Sequence, residues 1–185
     1  MFSGPDDEVA TERGSAAMRL AAALPPIAWS ALRPGTDQDR VEVPSGRLAR
    51  ISLGSADGER VVLVPGITGS KEDFILMMPL FAAAGYRVEA FDMAGQYESA
   101  AAGPEHLDPP GDRYTLELFI DDLRAVIASR TAPVHVLGYS FAGTVSAAVA
   151  AAHPGLFRSL TLLSTPPVAG QSLRRFKKVG LLSDV

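Results

Sequence analysis

From Arg40 onward the chain switches repeatedly between the two-residue period of strands and the 3.6-residue period of helices. Arg40–Val43 and Leu48–Leu53 alternate apolar and polar positions around the turn formers Pro44, Ser45 and Gly46, which predicts a β-hairpin with one solvated face. Val61–Val64 is apolar throughout, as expected of a parallel strand covered on both sides. Phe74, Met77, Met78, Phe81 and Ala84 follow at helical spacing up to Gly85, and Tyr86–Phe91 reads as the next strand. Residues 94–113 are broken by Gly and Pro into a long loop. Thr115 then caps a helix carrying Leu118, Phe119, Asp122, Leu123, Val126 and Ile127. A strand at Pro133–Leu137, a helix at Phe141–His153 and a strand at Ser159–Leu163 complete the series. Hairpin followed by β-α-β-α-β-α-β predicts an α/β fold: a mostly parallel sheet sandwiched by helices.

The flanks differ. Residues 1–17 are polar and aperiodic and read as a disordered tail, with Met18 a candidate start; 18–165 form the α/β core. The stretch Leu20–Leu32 is apolar but carries Pro25, Pro26 and Ser30 and lacks a small-x-small cleavage site, so no secretion signal or membrane span is expected. The expected location is cytoplasmic. At the other end, Gln171–Leu182 reads as an amphipathic helix with Leu173, Phe176 and Val179 inward and a basic run from Arg174 to Lys178 on its solvated face.

With 185 residues the chain has the size of one ordinary domain. It contains no cysteine, which excludes disulfides and thiolate metal sites, and its formal net charge of −4 offers no footprint for nucleic acid. Neither a metal nor a cofactor is expected.

The chemistry concentrates in loops at the carboxyl ends of the predicted strands, where open α/β sheets place their ligands. Gly138-Tyr139-Ser140-Phe141-Ala142-Gly143 lies between a buried strand and an Ala-rich helix. A serine on so tight a strand-to-helix turn needs almost no side chain two positions before and two after it, and Gly138 and Ala142 meet that demand. Gly143 relieves the next turn. The bland alternative is a serine that merely caps the helix.

Residues 61–167 resemble the α/β-hydrolase superfamily, in its branch of serine esterases and cofactor-free haloperoxidases. Val64-Pro65-Gly66-Ile67-Thr68-Gly69-Ser70 resembles the His-Gly-x-x-Gly-Ser oxyanion loop, with Pro65 in place of His. Phe91-Asp92-Met93-Ala94-Gly95-Gln96-Tyr97-Glu98-Ser99 resembles the Asp-x-x-Gly-x-Gly-x-Ser loop, with Tyr97 in place of the second Gly. The elbow comes third, with Ala142 where the usual pattern has Gly, and His153-Pro154 followed by Leu156–Leu162 resembles the next helix end and strand.

That resemblance implies acyl transfer: Ser140 attacks an ester, thioester or amide carbonyl and forms an acyl-enzyme. The oxyanion would be held by the backbone N–H groups of Phe141 and of Ile67, just after Gly66. Asp92 and Ser99 would brace their own loop. Met77, Met78, Phe141 and Ile67 suggest an apolar acyl side of a small-molecule substrate, although the two methionines at helical spacing also read as core. A deficit accompanies the match. The fold supplies an acid and then His after the serine in chain order, but the histidines are His106, His135 and His153, and Asp184 is the sole acid downstream. The expectation is thus about six of eight strands, with 166–185 starting a cap and the general base left to a missing C-terminal segment or a partner chain. A non-catalytic, hydrolase-like binding or regulatory protein is the alternative. A nucleotide-binding reading fails because Gly66-x-x-Gly69 lacks the G-x-G-x-x-G spacing, and Lys71 does not complete a P-loop.

Overall fold

The computed structural model describes residues 31–166, together with Ala28. Of these, the residues from Leu32 onward belong to one compact unit. The expected N-terminal tail and the amphipathic segment Gln171–Leu182, with its basic run, lie outside the described residues, as does Asp184.

Six strands form one sheet in the order β1-β2-β4-β3-β5-β6. They are β1 (Asp37–Val43), β2 (Gly46–Leu53), β3 (Arg60–Val64), β4 (Arg87–Phe91), β5 (Val134–Tyr139) and β6 (Phe157–Leu163). The hairpin pairs antiparallel, Val43 opposite Gly46, and β2 pairs antiparallel with β4. The pairs β4–β3, β3–β5 and β5–β6 are parallel. The helices are α1 (Met78–Ala83), α2 (Leu116–Ala128) and α3 (Phe141–Ala152). This is the α/β architecture that the alternating periods predict.

Each face of the sheet buries its own core. Val62, Val64, Phe91, Val134 and Val136 pack against Leu118, Phe119, Leu123 and Ile127 of α2 and Val145 and Val149 of α3. On the other face, Ile51, Val61, Leu63, Val88 and Ala90 meet Phe74, Ile75 and Met78.

Two elements differ from their predicted form. The single helix expected from Phe74 to Ala84 is a 3-10 turn at Lys71–Phe74 and a separate six-residue α1. Pro79 sits in the first turn of α1, where its missing N–H costs nothing, and its ring bars the helix from reaching back to Phe74. The hairpin does not keep one face in water throughout. β1 is mostly exposed, but β2 is the second strand of the sheet and is buried at five consecutive positions, Leu48 to Ser52.

That burial takes in Arg50, and β4 is buried along its whole length although it carries Arg87 and Glu89. A buried charge persists only when paired and hydrogen-bonded. Arg50 grips Asp39 through two bonds of 2.8 and 2.7 Å. Arg60 lies 3.0 Å from Glu89 and donates to the carbonyls of Val126 and Ile127 in the last turn of α2. Its cation thus satisfies carbonyls that the helix end leaves without partners.

Candidate active site

Sheet order places the two candidate loops side by side. β3 lies between β4 and β5, so the chain leaves β3 toward one side and returns on the other. The loops after β3 and β5 therefore part at one point of the sheet edge, the kind of crevice in which such sheets bind ligands.

Ser140 stands between β5 and α3 with φ 55° and ψ −122°. No side-chain-bearing residue adopts that conformation without steric cost, and the surroundings must impose it. They do so from both sides. The Ser140 N–H donates to the Leu163 carbonyl at 2.9 Å, and the Ser140 carbonyl accepts from Gly143 N–H at 3.0 Å. A Cβ on Gly138 would lie 2.8 Å from the Ala142 carbonyl oxygen and from Gly143 Cα, so strand and helix touch there. Ala142 is fully buried in the same contact. Gly143 is pressed against Thr165.

The loop after β3 lies against this turn. A Cβ on Gly66 would stand 3.2 Å from the Tyr139 ring and 3.4 Å from Ser140 Cβ. Gly66 therefore lets backbone approach the serine, bringing Ile67 beside it. Phe141 is the first residue of α3, where a helix leaves its N–H groups unpaired. The Phe141 ring points away, edge-on to Phe119 with centroids 5.4 Å apart. Met78 is core on the opposite face of the sheet. Met77 packs partly buried against the same core as Met78, and Ile67, half-buried, packs against the core that contains Phe141.

Asp92 and Ser99 are completely buried. Ser99 Oγ donates to the Asp92 carbonyl and accepts from Ala49 N–H, pinning the loop after β4 to β2. The Asp92 carboxylate accepts from the Lys71 N–H at 2.8 Å and from Lys71 Nζ at 2.9 Å. Sequence spacing gives no sign of this pairing, since Lys71 and Asp92 stand 21 residues apart. Burial alone would lower the Lys71 pKa, but its bonds to Glu72 and Asp92 outweigh this and hold it above the ordinary lysine value. Its ammonium is engaged by the carboxylates of Glu72 and Asp92 at 2.8 and 2.9 Å.

No histidine approaches Ser140. His135 lies five positions earlier on β5, about 16 Å away at strand rise, and bonds Ser159 Oγ at 2.7 Å. His153 closes α3 at its far end, about 20 Å off. His106 bonds the Ala101 carbonyl and lies against Gly46, at the start of β2. Three strand spacings separate β2 from β5, about 14 Å. No group of three or more His, Cys, Asp or Glu that could hold a metal ion occurs among the described residues.

A model of the alpha/beta hydrolase fold family matches residues 59–181. The chain belongs to that family. It is 30% identical over 128 residues to the human "Serine hydrolase-like protein", covering 69% of this chain and 60% of that one. It is 29% identical over 124 residues to rat "Bifunctional epoxide hydrolase 2", covering 66% of this chain and 21% of the relative. In structure it is similar to an epoxide hydrolase from an endophytic Streptomyces, with TM-score 0.61 and 24% identity over 80% of this chain and 44% of that one. This α/β-hydrolase chain thus spans less than two thirds of the length of each. No helix among its described residues is long and apolar enough to cross a membrane.

Proposed function

We infer that this chain carries the nucleophile and oxyanion half of a serine hydrolase acting on ester, thioester or amide carbonyls. The observation that carries the reading is Ser140 at φ 55°, held by a strand–helix contact that leaves no room for a Cβ at Gly138. Such strain is kept where it aims a side chain at a ligand. Ser140 Oγ forms a bond to the substrate carbonyl carbon, and the carbonyl oxygen takes up the displaced electron pair. The N–H groups of Ile67 and Phe141 receive that oxyanion. Collapse of the intermediate expels the alcohol, thiol or amine and leaves an ester on Ser140, which water then hydrolyses. The chemistry needs no cofactor.

The proton on Ser140 Oγ needs an acceptor, and the positions of the three histidines favour one contributed by a further segment or a partner chain. The same positions favour a second reading, a hydrolase-like binding protein without turnover. A fluorophosphonate probe, applied with the segment or partner that supplies the base present, separates the two. The first expects a mass adduct on the tryptic peptide containing Ser140, lost in Ser140→Ala. The second expects intact protein after prolonged exposure.

A further inference from the structure

The loop after β3 is tied down by side chains from the loop after β4. Gln96 Nε2 donates to the Ile67 carbonyl, and Tyr97 Oη donates to the Thr68 carbonyl at 3.0 Å. At the loop's far end, the buried Lys71–Asp92 pair closes it with the two bonds already described. The Ile67–Thr68 peptide is therefore fixed through the Ile67 carbonyl. The preceding Gly66–Ile67 peptide is held by its Gly66 carbonyl, which accepts from Gly69 N–H at 2.9 Å, while its own N–H, that of Ile67, makes no hydrogen bond among the described residues. That is what an oxyanion donor requires: a rigid peptide plane with its N–H left open.

Tyr97 itself is anomalous. Its φ is 40°, in the left-handed region that favours glycine, and its ring is 62% exposed. An exposed tyrosine gains little from burial, so burial does not explain its presence in a backbone conformation that glycine adopts freely. What the side chain supplies, and glycine could not, is the hydroxyl on Thr68.

We propose that Tyr97, with Gln96, is a positioning residue that holds the β3 loop so that the Ile67 N–H faces Ser140. This rests on the serine-hydrolase reading and adds residues that do not touch substrate. The ring spans the gap between the two loops, and its hydroxyl bond, together with that of Gln96, fixes two consecutive carbonyls. Displacement of the loop at Ile67 and Thr68, next to the peptide that carries the N–H, would break one or both. Lys71 and Asp92 anchor the far end but act as support common to the whole loop.

The test uses the intact protein with the segment or partner that supplies its base, its Tyr97→Phe, Tyr97→Gly and Gln96→Ala variants, and a fluorophosphonate. The expected result is a first-order labelling rate at saturation about tenfold lower in each variant, with the half-saturating concentration unchanged. Hydrogen exchange of the peptide spanning residues 66–70 should quicken. Tyr97→Gly is decisive, because it relieves strain: its melting temperature should hold or rise while its labelling slows. A purely structural tyrosine would lower both together, and that outcome overturns the proposal, as do variants labelled at the wild-type rate. A wild type that forms no adduct, with exchange still responding to Tyr97→Phe, overturns the serine-hydrolase reading and the positioning role with it.

Discussion

Gly138 and Ala142 occupy equivalent places around Ser140, yet only one of them tolerates a methyl group. A Cβ at Gly138 would meet backbone atoms of α3 at 2.8 Å, and backbone cannot rotate aside. Gly138→Ala should therefore destabilise by about 2 kcal/mol, the usual cost of overpacking a rigid contact. A urea midpoint equal to wild type would show that strand and helix can separate without loss. Ala142→Gly should cost about 1 kcal/mol through helix propensity and leave phosphonate labelling of Ser140 intact. The elbow pattern was legible in sequence because both constraints are local. The strain at Tyr97 was not, although its departure from the glycine pattern marked the position.

Between elements, α2 is joined to the hairpin by a buried carboxylate. Asp122 accepts from the Ser45 N–H at 3.1 Å and from Ser45 Oγ at 2.5 Å, and both residues are buried. Sequence reading placed Asp122 on the inward stripe of α2 without a partner. Burial pushes its pKa up to about 6, against the opposing pull of the two Ser45 bonds. The folded protein then binds a proton that the unfolded chain has released from about pH 4 upward. Stability from this group is greatest below pH 4, falls as pH rises toward 6 and is flat above, a change of about 3 kcal/mol. Asp122→Asn should remove that slope. The wild-type-minus-variant difference in unfolding free energy, measured by denaturant titration, should fall between pH 4 and 6.5. A constant difference would mean that Asp122 is ionised throughout.

For the molecule as a whole, protection should follow the order of the sheet. β3 is paired on both sides and buried at every position, whereas β6 pairs only with β5 among the described residues. β6 is exposed or half-buried along its length, with Leu162 and Leu163 nearly half exposed. Local opening is easiest where few apolar contacts must be broken. Amide hydrogen exchange in Arg158–Leu163 should run at least about 100-fold faster than at Val62 and Leu63. Equal protection would reveal a further segment or a second copy covering that edge.

The sequence by itself determined the succession of strands and helices, the inward faces of α2 and the strand–turn–helix around Ser140. Each is written in spacings of a few residues, and apolar periodicity records which side of an element leaves water. It also held the Pro79 that splits the helix expected after β3, a local signal open to reading. Tertiary structure alone decided which charges are buried and with whom. Glu89 and Arg60 stand 29 residues apart in the chain, and Lys71 reaches Asp92 across 21. Such pairs come from the sheet order, which brings distant segments together at strand spacing. The same order puts His106, His135 and His153 away from Ser140 and lays Tyr97 across to Thr68. A periodic pattern specifies faces, but it carries no record of which faces meet.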